Sequence, residues 1–335
     1  MSKTAVVLFN LGGPDRPQAV RPFLFNLFND PAIIGAPAPI RWLLAKYISA
    51  KRAPVAREIY RHLGGKSPLL DLTRDQASTL EEKLGGAFRV FVCMRYWHPM
   101  TPEVVRQVKE YAPERIVLLP LYPQYSTATT GSSFTAWAEE AQHQGLSAPT
   151  VSVCCYPTHP DFIAAVADLI LEDYHDMTAP RVLFSAHGLP KKTIAAGDPY
   201  QHHVEQTAQA VVAKLGLSDL DWTVCYQSRV GPLEWIGPST EDEIKRAGAQ
   251  KKELLVVPIA FVSEHSETLV ELDIEYRHLA DEVGVPAYGR VGTVCDHPLF
   301  IQALADLVHQ ALDSPTTRRC PSRCVKCPTP ETPHE

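Results

Sequence analysis

Short runs of β-branched and apolar residues recur along the chain, each ending in a turn marked by glycine or proline. Ala5-Val-Val-Leu-Phe-Asn-Leu-Gly-Gly-Pro14 is the first, and Arg181-Val-Leu-Phe-Ser-Ala-His-Gly-Leu-Pro190 follows the same plan. Arg89-Val-Phe-Val-Cys-Met-Arg-Tyr-Trp-His-Pro99 pairs with Trp222-Thr-Val-Cys-Tyr-Gln-Ser-Arg-Val-Gly-Pro232, and Arg115-Ile-Val-Leu-Leu-Pro-Leu-Tyr-Pro123 with Glu253-Leu-Leu-Val-Val-Pro-Ile-Ala-Phe261. Nearly all-apolar strands separated by amphipathic stretches are what a parallel sheet covered on both faces produces. Asp161 to Tyr174, with Phe162, Val166, Leu169 and Ile170 on one face, and Pro199 to Leu215 read as such helices. The matched order of three pairs predicts two α/β domains of the same kind, related by duplication rather than alike by chance.

Between its first two strand-turns the first copy is longer by about forty residues, Pro14 to Pro99 against Pro190 to Pro232. The excess holds the apolar stretch Pro31 to Ile48, with Trp42 inside it and Arg41, Lys46, Lys51 and Arg52 within or beside it. Apolar residues with an interfacial tryptophan and flanking cations suit a membrane surface or an apolar ligand. An ordinary buried helix is the alternative.

Ligands of open α/β sheets bind beyond the carboxyl ends of the strands. The residues there are unusually polar and aromatic: Asn10, Arg95, Tyr96, Trp97, His98, Tyr122, Tyr125 and Ser126 in the first copy, and His187, Gln227, Ser228, Arg229, Trp235, Glu264 and His265 in the second. His187 ends a strand, and a histidine there can exchange protons near neutral pH or ligate a metal. Ser263 offers a helix N-cap. After it Glu264, Glu267, Glu271 and Glu275 recur at helical spacing, a ladder of carboxylates beside His265. Like charges so placed repel slightly, which a solvated acidic face tolerates. At a strand end, however, carboxylates and imidazoles suit a divalent cation such as Fe2+.

Composition narrows the field. The 335 residues are 45% hydrophobic and 21% charged with a formal net charge of −6, which disfavours a nucleic-acid partner. No apolar run approaches the roughly 18 residues that span a bilayer, and the N-terminus has no signal pattern, so a cytoplasmic location is expected. Gly64-Gly65-Lys66-Ser67 has Tyr60 where a phosphate loop needs its first glycine, and Leu11-Gly12-Gly13-Pro14 lacks the spacing of a dinucleotide fingerprint. Of eight cysteines, Cys320, Cys324 and Cys327 crowd into a Pro- and Thr-rich tail beginning at Ser314. With Arg318, Arg319, Arg323 and Lys326 nearby they make three soft ligands for an iron–sulfur cluster or zinc, and the adjacent Cys154 and Cys155 are the first candidates for a fourth.

In order, Leu11-Gly-Gly-Pro14, Arg95-Tyr96, Tyr122-Pro-Gln-Tyr-Ser126, Ser185-Ala-His-Gly-Leu-Pro190, Tyr226-Gln-Ser-Arg-Val-Gly-Pro232, Trp235-Ile-Gly-Pro238, Val257-Pro-Ile-Ala-Phe261 and Glu264 to Tyr276 resemble the ferrochelatases over nearly the whole chain. The resemblance implies two Rossmann-like domains, each a parallel sheet flanked by helices, with a porphyrin cleft between them. The expected division is residues 1–115 with 297–313, residues 116–296, and a tail over 314–335. It also implies an enzyme that inserts Fe2+ into protoporphyrin IX to form protohaem, releasing two protons. His187 is then the active-site histidine, Glu267 its acidic partner and Glu271 the continuation of the ladder, with His187 and Glu267 meeting the incoming iron. Arg95, Tyr122, Trp235 and Ile34 match cleft residues, and Ser126 and His265 are expected beside them.

The apolar insertion matches a membrane-associated lip, which implies peripheral contact with the inner membrane. The tail resembles those that hold a 2Fe–2S cluster, although Thr127 stands where some members have the fourth cysteine. A homodimer is compatible with this reading. Two alternatives remain: a chelatase for another metal and tetrapyrrole, and a haem- or iron-binding carrier or redox sensor without insertion activity.

Overall fold

The structure, a computed structural model, describes residues 3–229, 231, 233–314 and 317–319. Its first half runs β1 (Thr4–Asn10), α1 (Val20–Phe28), α2 (Ala38–His62), α3 (Leu69–Leu84), β2 (Phe88–Met94), α4 (Thr101–Tyr111) and β3 (Arg115–Pro120). A π-helical turn (Thr127–Gly131) then leads into α5 (Ser132–Gln144), β4 (Thr150–Val153) and α6 (Pro160–Tyr174). The second half runs β5 (Arg181–His187), α7 (Lys191–Ala195), α8 (Tyr200–Leu215), β6 (Trp222–Gln227), α9 (Thr240–Ala249) and β7 (Leu254–Pro258). A π-helix (Glu267–Glu275) leads into α10 (Tyr276–Glu282), followed by β8 (Tyr288–Arg290) and α11 (Pro298–Asp313). Two residues of the tail, Arg318–Arg319, form β9.

All strand pairs are parallel, in the orders β2-β1-β3-β4-β9 and β6-β5-β7-β8. The two orders are the same pattern repeated, and a π-helical segment follows the third strand in both halves, so the duplication expected from the strand pairs extends to topology. β1 is buried along its whole length, as an unbroken Ala-Val-Val-Leu-Phe run between two neighbours requires. Its neighbour β3 aligns Val117 with Val6 and Leu119 with Leu8.

The halves cover one another. α6 follows the first sheet but packs on α8 and β7, whereas α11 follows the second sheet and packs on α3, β3 and β4. The two helices also meet each other, Phe162 against Phe300 with ring centroids 5.9 Å apart. Each begins with a His-Pro pair, His159-Pro160 and His297-Pro298, and carries its phenylalanine two residues later. This reciprocity is that of an isologous contact, and it fuses the inner faces into one core in which Val6, Leu8, Val117 and Leu119 join Val182, Phe184, Leu255 and Val257. Outer faces keep separate clusters, around Val104, Val105 and Trp137 in one half and Ile244, Leu272 and Tyr276 in the other.

The sheets divide the chain differently from the expected boundary at 115/116. β3 and β4 belong to the first sheet, because the crossover through α4 returns the chain to the sheet it left, and the changeover comes after Val153. Arg318 and Arg319 pair beside Ser152 and Val153, so the tail opens against the strand that precedes Cys154. Cys320, Cys324 and Cys327 lie outside the described residues.

The forty-residue excess of the first half forms α1 and α2. α2 is not an ordinary buried helix, since Ile40, Trp42, Leu43, Leu44, Tyr47 and Val55 are all exposed. No helix among the described residues is long and apolar enough to cross a membrane.

Candidate active site

The carboxyl ends of both sheets open on one cavity of about 220 Å³ between the halves. Its wall includes Asn10 and Leu11 at the end of β1, Tyr122 and Ser126 after β3, His187 and Leu189 at the end of β5, and Phe261, His265 and Glu267 after β7. In both sheets the central strands part company there, β1 from β3 and β5 from β7, which is the switch point where doubly wound sheets take ligands. A wider groove of about 620 Å³ lies elsewhere, along the outer edge strand β2 beside Lys3, Arg74, Arg89 and Tyr111. Among the described residues it is lined by no histidine and by one carboxylate, Glu110, so proton or metal chemistry favours the cleft.

His187 ends β5, 41% exposed toward the cleft. The chain turns at Gly188, where an added Cβ would stand 3.0 Å from the Gln227 carbonyl oxygen and 3.1 Å from the Arg229 side chain. His187 Nδ1 lies 2.9 Å from Glu267 Oε2. Ser228 Oγ is 3.2 Å from that same oxygen and 2.5 Å from Glu271 Oε2. Glu271 is otherwise held by Gln227 Nε2 at 3.1 Å, the Ser228 amide at 2.9 Å and the Tyr276 hydroxyl at 3.1 Å. Ser228 sits at φ +59, a conformation that a non-glycine residue adopts at a cost of order 1–3 kcal/mol and that clusters at functional sites.

One hydroxyl has one proton, so Ser228 cannot donate to both carboxylates. A proton on Glu271 resolves the geometry: Glu271 donates to Ser228, Ser228 to Glu267, and Glu267 accepts from His187. The electrostatics agree. Burial and the neighbouring Glu267 charge raise the Glu271 carboxyl above its usual range. Burial would raise Glu267 too, but the His187 imidazole and its hydrogen bond outweigh it and hold that carboxyl low. For His187, burial opposes the charged ring, yet the attraction of Glu267, with Glu271 behind it, lifts the imidazole above 6.5. A chain of groups with separated proton affinities thus runs from the cleft toward Tyr276.

His265 is the neutral counterpart. It is buried, its Nδ1 has no hydrogen-bond partner among the described residues, and burial lowers its pKa. Phe261 lies against its ring at 4.6 Å between centroids.

The ladder read from spacing breaks up in the fold. Glu267 and Glu271 enter the site, Glu264 is claimed by Arg290 at 2.6 Å, and Glu275 faces solvent. Ser263 caps no helix: its hydroxyl donates to Gln76 Oε1 at 3.0 Å, and the π-helix starts four residues later. Among the described residues no three His, Cys, Asp or Glu side chains are grouped to hold a metal ion.

Tyr122 lines the cavity, and Ser126 lines it while donating to Asp198 at 3.0 Å. Trp235 is half-buried, its ring near Gly188 and its Nε1 without a hydrogen-bond partner among the described residues. Arg95 does not line the cavity; its guanidinium pairs with buried Asp30 at 2.7 Å and bonds Ser132 at 2.7 Å. Ile33, rather than Ile34, reaches the wall. Cys154 and Cys155 are buried beside Tyr125 at the end of β4. Gln227 and Ser228 stood in the sequence as polar residues at a strand end and within one matching motif, and Tyr276 only as the last residue of another, none of them with a role. Their roles depend on β6 lying beside β5 and on the π-helix crossing both, which local pattern does not report.

The family model described as Ferrochelatase matches residues 3–312. The chain belongs to the ferrochelatase family. A ferrochelatase of Caulobacter vibrioides is 54% identical over 98% of both chains. One from Pelagibacter ubique is 48% identical over 97% of this chain and 98% of its own, and one from a Wolbachia species 52% identical over 91% and 98%. Among solved structures, the sirohydrochlorin chelatase SirB of Bacillus subtilis subspecies spizizenii in complex with cobalt superposes with a TM-score of 0.54, at 12% identity over 93% of this chain and 97% of that one. SirB from Bacillus subtilis with Fe3+ gives 0.52, at 12% identity over 92% and 95%. At such identities the likeness carries the fold, and the two parallel sheets of this ferrochelatase-family chain are that fold.

Because Glu267 is what raises the His187 pKa against burial, Glu267→Gln is expected to move the titration midpoint of the His187 ring to lower pH, the neutral ring then persisting further into acid. Imidazole proton resonances followed against pH measure it. An unchanged midpoint would mean that the ion pair does not govern His187.

Proposed function

We propose that this chain inserts Fe2+ into protoporphyrin IX, forming protohaem and releasing the two pyrrole N–H protons. The observation that carries the reading is the hydrogen-bonded series His187–Glu267–Ser228–Glu271, which opens on a largely apolar cleft at the switch points of both sheets. Metal insertion exchanges two protons for one dication, so the protein must take protons from the ring centre and pass them on. His187 faces the cleft as the group to accept them. The neighbouring Glu267 strengthens the hold of His187 on a proton, so a ring that carries one passes it to the Glu267 carboxylate, its hydrogen-bond partner, before accepting another from the macrocycle.

A flat porphyrin holds its nitrogen lone pairs in the ring plane, closed to a hydrated ion. A cleft complementary to a buckled ring stabilises the transition state over the ground state. Leu11, Leu27, Ile33, Tyr122 and Phe261 supply apolar wall for the macrocycle, and His265 adds a neutral nitrogen. The test is an anaerobic assay with Fe2+ and protoporphyrin IX, following loss of the free-base absorbance. Saturable insertion is expected, with His187→Ala slower by about 10²–10⁴-fold, the range for a lost general base. Tight porphyrin binding without insertion would favour the carrier instead, and turnover only with another metal and ring the other chelatase.

α2 is proposed as the peripheral membrane contact. Its exposed Ile40, Trp42, Leu43, Leu44 and Tyr47 form an apolar surface, and Lys46 Nζ stands 4.9 Å from the Trp42 ring centre, the pairing of apolar face and cation that suits an anionic lipid interface. Leu43→Glu with Tyr47→Glu should weaken co-sedimentation with vesicles of anionic lipid; equal sedimentation of variant and parent would refute the contact.

A 2Fe–2S cluster held by Cys320, Cys324, Cys327 and either Cys154 or Cys155 is proposed as a resident group. What supports it is thiolate chemistry together with the parallel pairing of Ser152 with Arg318 and Val153 with Arg319, the residues that precede Cys154 and Cys320 in the sequence. When bound, such a cluster supplies one-electron chemistry. Cys154→Ser or Cys155→Ser should remove the visible and paramagnetic-resonance signature of the purified protein, and an intact signature in both would exclude them as ligands.

A further inference from the structure

The segment that delivers His265 and Glu267 to the cleft leaves β7 at Pro258 and has little regular structure before Glu267. Something outside it must set its path, because loose backbone would let two site residues drift. Gln76, on α3 of the first half, is fully buried. Its Nε2 donates to the carbonyl oxygens of Val262 and Cys295, both at 2.8 Å, and its Oε1 accepts from the Ser263 hydroxyl at 3.0 Å. Both donors of the amide are used, and only this orientation satisfies two carbonyls and a hydroxyl together. Cys295 is itself held at φ +39 where the chain leaves the second sheet for α11. One side chain from the first half therefore pins the second half at the approach to its catalytic helix and at its exit toward α11.

The other half has a counterpart. α3 and α8 are each 16 residues long, and Thr207 holds in α8 the position that Gln76 holds in α3. Thr207 Oγ1 accepts from Gln124 Nε2 at 3.0 Å, and Gln124 lies as far past Pro120 as Val262 lies past Pro258. The braces are reciprocal, helix of one half to loop of the other. Only the brace made by Gln76 holds a loop that leads to proton-handling residues.

We infer that Gln76 is a positioning residue for the catalytic segment, fixing Val262 and Ser263 so that Glu267 stays within hydrogen-bond reach of His187 and His265 stays in the cleft wall. This rests on the chelatase reading for what the segment does, though not for how it is held.

Three chains decide it: the parent, Gln76→Leu, which removes all three hydrogen bonds, and Gln76→Glu, which keeps the shape. The carboxyl introduced by Gln76→Glu can, when neutral, donate to one carbonyl, whereas its ionised form sets a negative oxygen against two carbonyl oxygens. Burial raises such a carboxyl, so Gln76→Glu should behave like the parent at low pH and like Gln76→Leu as pH rises. The imidazole resonances of His187 and His265 are expected to shift in Gln76→Leu. In Gln76→Glu they should shift at high pH and return on acidification. In parallel, kcat should fall by about 10–100-fold, the scale of a small misplacement at a reacting centre, with a lesser change in porphyrin KM.

Unshifted resonances and parental kcat in folded Gln76→Leu would overturn the assignment. If that variant does not fold, Gln76→Glu decides alone: resonances matching the parent at every pH overturn it, and the pH-reversible displacement supports it. The resonances are read without turnover, so they judge Gln76 separately from the chelatase reading, which a parent chain inactive in the insertion assay would defeat by itself.

Discussion

A strand with neighbours on both sides and apolar residues on both faces must be covered above and below, and this chain meets that demand by exchange. α6 and α11 each leave one sheet to cover the other, and the two helices meet at Phe162 and Phe300. From that exchange follow the shared core, the fixed angle between the sheets and the confrontation of their carboxyl ends. The cleft is therefore a by-product of burial. It opens where the central strands of both sheets diverge, and the packing that closes the core beneath it keeps it in register.

Within the cleft the decisive balance is between desolvation and pairing. Buried charge is costly unless partnered, and each group of the series resolves that cost differently. Pairing outweighs burial for His187 and Glu267, raising the imidazole and holding the carboxyl low because each is the other's partner. Glu271, next to a charge of its own sign, is pushed toward its neutral form and is surrounded by donors from Gln227, Ser228 and Tyr276. His265 has no carboxylate bonded to it and is held neutral by burial. Four titratable side chains within one short segment and one strand end thus acquire distinct proton affinities, which is what directional proton movement needs.

The halves diverged in what they attach to the common frame. The first half spends its long insertion on α1 and α2, with an exposed apolar surface. Its π-helical turn after β3 carries Thr127 to Gly131, and there Asp198 of the second half accepts hydrogen bonds from Ser126 and Thr127. The second half carries carboxylates on its longer π-helix. Both halves line the cleft, whereas His187, Glu267, Ser228 and Glu271 all come from the second.

The sequence by itself determined the strands, their parallel arrangement, the duplication, the insertion and the presence of His187, Glu267 and Glu271 near a strand end, because burial on both faces and helical periodicity are written in local order. Spacing left all four glutamates on one helical face, and the tertiary structure separated them, since Arg290 from β8 claims Glu264 and the turn of the π-helix exposes Glu275. It also decided that Arg95 serves Asp30 rather than the cleft wall, and that Ser263 answers to Gln76, a residue 187 positions away, instead of capping a helix. Spacing along the chain specifies which face a residue occupies; which partner waits at that face depends on how two sheets are brought together, and that is a property of the shared core alone.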